Sequence, residues 1–249
     1  MKRRISVFLL FMLSMLGPVP LFASERSQPE LRIVTSYYPP FQYLEGNTVV
    51  GEHTAIIRQV VTDMNLTPHI ELLPWIRAEA RIKSGAADLV YSLTYSEQRA
   101  QHYLFTNPIG EARDVLFVHR DARLPGHRLA DLDELKIGVS ASYSYSPEFM
   151  RWLENRSGPV VRISHEAPEL TGLRMVAHGR LDLFICEVSV CEYIIETHRD
   201  ANPKLDRLEH LPGTVGIRRP FRAAFSRHHP EAAALREAFN DALDKLDLP

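Results

Sequence analysis

The feature that most constrains this chain is a structural unit that it spells twice. Leu31-Arg-Ile-Val-Thr-Ser36 reads as an apolar strand running into the aromatic loop Tyr37-Tyr-Pro-Pro-Phe41. Leu135-Lys-Ile-Gly-Val-Ser140 reads as a second strand, running into the polar loop Ala141-Ser-Tyr-Ser-Tyr145. Downstream of each come a helix, a glycine and another strand: Gly85-Ala-Ala-Asp-Leu-Val90 in the first half, Gly179-Arg-Leu-Asp-Leu-Phe184 in the second. Glycine suits the left-handed position that closes a helix, and an apolar run without alternation suits a strand buried on both faces. Two such units predict two α/β lobes. Ligands of open α/β sheets sit at the carboxyl ends of the strands, where both sets of loops fall, so the pattern also predicts a cleft between the lobes.

The N-terminus reads as a leader. Met1-Lys-Arg-Arg4 is basic, Ile5 to Leu16 is apolar, and Gly17, Pro18 and Pro20 lead into Leu21-Phe-Ala23. That order matches a secretory signal peptide over residues 1–23, cleaved near Ala23. The competing reading is an uncleaved anchor, but the apolar run is short for a membrane span and is broken by proline. The leader carries three of the 29 basic residues and none of the 31 acidic ones, which leaves 26 against 31, a net charge of −5. That balance, with no basic run, argues against general nucleic-acid binding. Cys186 and Cys191 lie five residues apart. Export permits a disulfide, but a cysteine at a strand end and another in the following segment leave the geometry open, and the reading favours two buried thiols. The eleven histidines show no His-x-x-x-His pair and the cysteines no Cys-x-x-Cys, so neither a metal nor a cofactor is expected.

Periodicity places the remaining elements. His53 to Leu66 carries Ile56, Ile57, Val60, Val61 and Met64 at helical spacing, and Leu66 to Leu73 reads as a loop and a short strand. Pro74-Trp75 opens a helix, with proline at a favourable first-turn position, and Gly85 ends it. Val115 to Val118 is an apolar strand at the crossing between lobes; Glu169 to His178 is helical. Phe221 to Phe225 reads as a strand, and Glu231 to Leu246 as an amphipathic helix. The chain is expected to return to the first lobe around residues 215–221. The lobes then span 24–115, 116–216 and, on return, 217–249, and two crossings make a hinge.

Several residues carry candidate chemistry. In Ser92-Leu-Thr-Tyr-Ser-Glu-Gln-Arg99, Thr94 and Ser96 are helix-capping types and Glu97 falls in a first turn, so a short helix should begin there. Exposed N–H groups, hydroxyls and one arginine at a helix start suit a carboxylate, which the planar fork of Arg99 can hold through both oxygens. A surface ion pair is the plainer reading of Arg99. Tyr38 is placed at the cleft and Phe41 in packing beneath the loop; Trp75 is either a cleft wall or a core residue. Ser142, Tyr143 and Ser144 either bind a small polar ligand or cap the helix near Pro147. Glu187 follows the apolar run Leu183 to Cys186, where a charge is costly unless solvated or paired, and a carboxylate there would accept an ammonium group.

These residues also carry a resemblance. Tyr38-Pro-Pro-Phe41, Gly51, Gly85-x-x-Asp88, Thr94-Tyr-Ser-Glu-Gln-Arg99, Phe105-Thr-Asn-Pro108, Gly138-Val139 and Gly179-Arg-Leu-Asp182 resemble the bacterial periplasmic solute-binding proteins of family 3, the polar amino-acid-binding proteins of uptake transporters. The resemblance spans nearly all of the mature chain and is most specific from Gly85 to Pro108. It implies the two-lobed α/β type II periplasmic binding protein fold with its ligand cleft between lobes, a periplasmic monomer, and a membrane transporter permease or receptor as partner. It implies that Arg99 binds an α-carboxylate with help from Ser92 and Thr94, and that Glu187 stands where the family has aspartate for the α-ammonium. The chain departs from the family at Glu52-His-Thr-Ala55, at Tyr143 and in the extra methylene of Glu187. A non-catalytic protein that captures a small carboxylate-bearing ligand, an amino acid foremost, is the expectation. A periplasmic enzyme of the cyclohexadienyl or arogenate dehydratase type and a ligand-sensing protein docking on a receptor are the alternatives.

Overall fold

The computed structural model describes residues 28–165 and 167–246. The leader expected over residues 1–23, with its cleavage near Ala23, lies outside them. The described chain builds two five-stranded sheets and one small hairpin. The first sheet contains β1 (Glu30–Thr35), β4 (Thr67–Leu72), β5 (Leu89–Thr94), β6 (Tyr103–Ala112) and β12 (Arg219–Ser226) in the order β4-β1-β5-β12-β6. Its first three strands run parallel, and β12 runs antiparallel to both neighbours. The second contains β7 (Asp114–His119), β8 (Ile137–Ser140), β9 (Val160–Ile163), β10 (Leu183–Glu187) and β11 (Leu208–His210) in the order β11-β7-β10-β8-β9. The hairpin pairs β2 (Tyr43–Glu45) with β3 (Thr48–Val50).

Parallel neighbours need crossover helices, and those helices bury both faces of each sheet. In lobe one α1 (Glu52–Asp63) and α7 (Ala232–Leu243) cover one face through Ile57, Val60, Val61 and Phe239. The other face is covered by α2 (Trp75–Ser84) through Ala78 and Ile82. In lobe two α5 (Pro168–Ala177) and α6 (Val188–His198) supply Leu173, Val176 and Ile194, while α4 (Pro147–Asn155) supplies Phe149 and Leu153. The short helix α3 (Glu97–Ala100) follows β5 at the cleft. Continuous apolar strands are the reason the central ladders hold: all five residues of β10 are buried, as are five of the six in β5.

Gly85 ends α2 with φ +75°, and a Cβ there would lie 2.9 Å from His228 Cβ, so both backbone and space demand glycine. Pro74, expected inside the first turn of α2, instead precedes it as the cap residue. The cap of α4 is Ser146, whose Oγ accepts from the Phe149 N–H at 3.3 Å.

Only Arg113 separates the end of β6 in the first sheet from the start of β7 in the second. The chain returns between Leu211 and Arg219, and there the Val215 N–H donates to the Asp114 carbonyl at 2.8 Å, tying the two crossings together.

The expectation of two buried thiols is corrected. Cys186 and Cys191 form a disulfide with Cα atoms 6.2 Å apart. The cause is the reversal at Glu187, where β10 ends and α6 begins, which folds the first turn of the helix back beside the strand end.

Candidate functional site

The loops at the strand ends of both lobes enclose a cavity of about 60 Å³, which adjoins an outer recess of about 620 Å³. Of the residues singled out in the sequence, Tyr38, Trp75, Ser92, Thr94, Arg99, Tyr143, Ser144 and Glu187 line the inner cavity. Ser142 lines the recess instead.

Lobe one supplies a pre-set hydroxyl and cation edge. Ser92 stands in the left-handed region, with φ +62°, near the end of β5. Its Oγ lies 2.7 Å from Gln42 Oε1, to which it donates, and 2.7 Å from His53 Nδ1. Burial pushes His53 down to about 4, so the ring is neutral at pH 7, and it stacks on Phe41 with centroids 4.4 Å apart. A strained serine fixed by two partners is a rigid wall, held in place by the loop behind it.

Beyond it, Ser96 caps α3 by accepting from the Arg99 N–H at 3.2 Å. The Arg99 guanidinium reaches back to donate to the Thr94 carbonyl at 3.0 Å and lies 5.2 Å from the Trp75 ring centroid, a cation–π contact. Burial lowers its pKa, and none of the ion pairs among the described residues involves Arg99. The plainer reading, a surface ion pair, is therefore not what the geometry gives. The Trp75 Nε1 is buried without a partner among the described residues at the same wall.

Lobe two brings carboxylates. Glu187 is both the last residue of β10 and the cap of α6: its Oε2 accepts from the Val190 N–H at 3.0 Å and its Oε1 from the Arg113 N–H at 3.3 Å. Burial raises it to about 7, against those stabilising bonds. Tyr145 also lines the cavity, and its hydroxyl accepts from the Ser140 N–H at 2.9 Å and fixes the loop. Tyr143 meets Tyr38 across the cleft edge to face, with centroids 5.9 Å apart.

Sequence reasoning missed three charged groups here: Arg219, Asp114 and Glu169. Arg219, the first residue of β12, donates from Nη1 to Thr94 Oγ1 at 3.0 Å in lobe one and to the Ser144 carbonyl at 2.6 Å in lobe two. Its Nη2 pairs with Asp114 at 2.5 Å, with side-chain exposures of 12 % and 6 %. Glu169, in the first turn of α5, lines the cavity and is buried, which raises its pKa. Among the described residues no cluster of three or more His, Cys, Asp or Glu is placed to hold a metal ion.

Two α/β lobes, crossed twice by the chain and closing on a cavity lined with charges of both signs, define a two-lobed ligand-binding protein. Residues 31–248 match the model for the bacterial extracellular solute-binding proteins, family 3, and the chain belongs to that family. No curated protein matches the sequence. Among solved structures the chain is similar to a histidine kinase sensor domain with similarity to periplasmic binding proteins, at 22 % identity and TM-score 0.73 over 88 % of this chain and 91 % of that one. It is similar to an ancestral arginine-binding protein bound to arginine, at 18 % identity and TM-score 0.71 over 87 % and 92 %. It is also similar to the substrate-binding protein of an amino acid ABC transporter, at 15 % identity and TM-score 0.68 over 87 % and 92 %. At these identities the likeness is one of fold. None of the helices among the described residues is long and apolar enough to cross a membrane.

Proposed function

We propose that this protein is an exported, periplasmic binding protein that captures a free amino acid by closing its two lobes and presents it to a membrane transporter. The observation that carries the reading is Arg99. A half-buried guanidinium that enters no ion pair among the described residues, seated over Trp75 and facing a cavity, is a cation placed to receive an anion. Lobe two answers with Glu187, whose oxygens sit at a helix start with lone pairs left over for an ammonium group. A zwitterion spanning the two would contact both lobes and so favour the closed state, because a ligand shifts a hinge only by binding one state better than the other. Solved relatives in fold that bind arginine or serve amino acid transport support the same class.

The test is a thermal-shift and calorimetric screen of protein freed of carried-over ligand by unfolding and refolding. A ligand at about a hundred times its Kd adds about 2.7 kcal/mol, a shift on the order of 5–10 °C for a chain of this size. Selective shifts by α-amino acids, and a loss of about a hundredfold or more in affinity in Arg99→Ala, are expected. Arg99→Ala binding with unchanged affinity would overturn the assignment.

A further inference from the structure

The cleft contains a carboxylate that the reading above leaves unused. Glu169 is 4 % exposed, its Oε1 is buried without a hydrogen-bond partner among the described residues, and it lines the same cavity as Arg99. The other two acids of that cavity have partners among the described residues. Asp114 holds Arg219, and Glu187 takes the N–H groups of Val190 and Arg113. Burial raises the Glu169 carboxyl, hydrogen bonds from Tyr143 and from its own backbone N–H act against that rise, and no cation of the chain offsets it. An ionised group in that position is expensive unless something brings it a charge.

Its surroundings fit a cation. The Tyr143 phenol is pushed up by burial and by the Glu169 carboxylate, and Tyr38, pushed up by burial, then by Glu187 and then by Glu169, lines the same cavity. The two rings stand edge to face at 5.9 Å. A buried carboxylate with one unpaired oxygen, in a cavity that Tyr38 and Tyr143 also line, suits a cation brought by a ligand. We propose that Glu169, with Tyr38 and Tyr143, forms a second cation subsite, and that the ligand is an amino acid whose side chain ends in an ammonium or guanidinium group. This rests on the reading of Arg99 and Glu187 as the receptor for the ligand's backbone end. It adds a residue that reads the side chain.

Calorimetry on ligand-stripped wild type and Glu169→Gln separates the two levels, using ornithine and norleucine, which has a methyl where ornithine has its terminal ammonium. Wild type should bind ornithine about tenfold or more tighter than norleucine. Glu169→Gln should erase that preference while keeping norleucine affinity within about twofold, which also reports that the variant is folded. Norleucine binding to wild type as tightly as ornithine, or a preference that survives in Glu169→Gln, overturns the subsite and leaves the amino-acid reading standing. Failure of wild type to bind either ligand or any other α-amino acid overturns both.

Discussion

The two lobes each bring a helix start to the cleft, and they divide its work differently. In lobe one the cap and the charged group are separate residues: Ser96 satisfies the start of α3, and the Arg99 side chain enters no ion pair among the described residues. In lobe two one residue does both, since Glu187 caps α6 and presents the carboxylate. The consequence is electrostatic. Arg99 remains charged across the physiological range, whereas Glu187, raised to about 7, is poised between states near neutrality. Lobe one therefore offers a fixed field, and lobe two one that depends on pH and on what binds.

Arg219 joins the two faces, so removing it is the most direct way to break the comparison. It bonds to Thr94 in one lobe and to Ser144 and Asp114 in the other. Arg219→Ala leaves Asp114 buried without its partner, and breaking a buried pair on one side costs about 3–5 kcal/mol. Chemical denaturation should show that loss, and small-angle scattering of ligand-free protein should show an expanded particle. The double variant Arg219→Ala with Asp114→Asn should recover part of the stability without closing the cleft. An unchanged radius of gyration would mean that Arg219 does not hold the lobes together.

The next effect belongs to Glu187 alone. Its carboxyl lies near 4.5 in the unfolded chain and about 7 in the fold, so its contribution is fully present below 4.5 and is lost as pH rises through 7. The size is about 3 kcal/mol. Burial raises Glu169 and Asp114 in the same direction. His53 has the opposite sign: lowered from 6.5 to about 4, it contributes above 6.5 and loses that contribution as pH falls through 4. Glu187→Gln should therefore lessen the loss of stability above pH 4.5 and leave the slope of His53 more exposed, as measured by urea midpoints at steps of pH. Wild-type and variant curves that stay parallel would contradict the account. Binding should follow the same logic, with wild-type affinity falling below pH 7 as Glu187 takes up its proton.

What the sequence made legible is what local rules control. The strand–loop openings, the helix ends at Gly85 and Gly179 and the start of α3 after Ser96 follow from capping, turn and burial patterns. The hairpin of β2 and β3 had a signal that went unread, the Gly46-Asn47 turn between two short strands. The rest depends on tertiary placement. Arg218 and Arg219 are adjacent and chemically alike, yet one makes an exposed pair with Glu111 at 3.4 Å and the other is largely enclosed at the hinge with Asp114. Only the register of β12 against its neighbours decides between them. Glu169 reads in sequence as an ordinary first-turn acid complementing the helix dipole, and its burial comes from where α5 packs. The disulfide hinged on a chain reversal at Glu187 that spacing alone does not encode.

That disulfide sharpens the comparison, because only lobe two braces its reader covalently. Cys186 and Cys191 bracket Glu187 in a small loop, for which chain entropy gives about 2 kcal/mol. Cys186→Ser with Cys191→Ser should lower the unfolding free energy by that amount and weaken ligand binding through Glu187, while Arg99 contacts stay unaltered. Equal affinity with and without the bridge would show that capping by Val190 and Arg113 suffices to fix the carboxylate.

The smallest effect tests the division of labour in lobe one. Ser96→Ala removes the hydroxyl that accepts the Arg99 N–H, and loss of a cap costs about 1 kcal/mol. If cap and reader are separable, the stability loss should appear in denaturation while ligand affinity falls only slightly, because the guanidinium keeps its bond to the Thr94 carbonyl and its place over Trp75. A helix of four residues has little else to hold its first turn, so the alternative is specific: α3 unwinds, the Arg99 backbone moves, and affinity drops as far as in Arg99→Ala. Calorimetry on Ser96→Ala beside Arg99→Ala decides which of these describes lobe one. The first outcome keeps the contrast with Glu187, where one substitution must disturb fold and binding together.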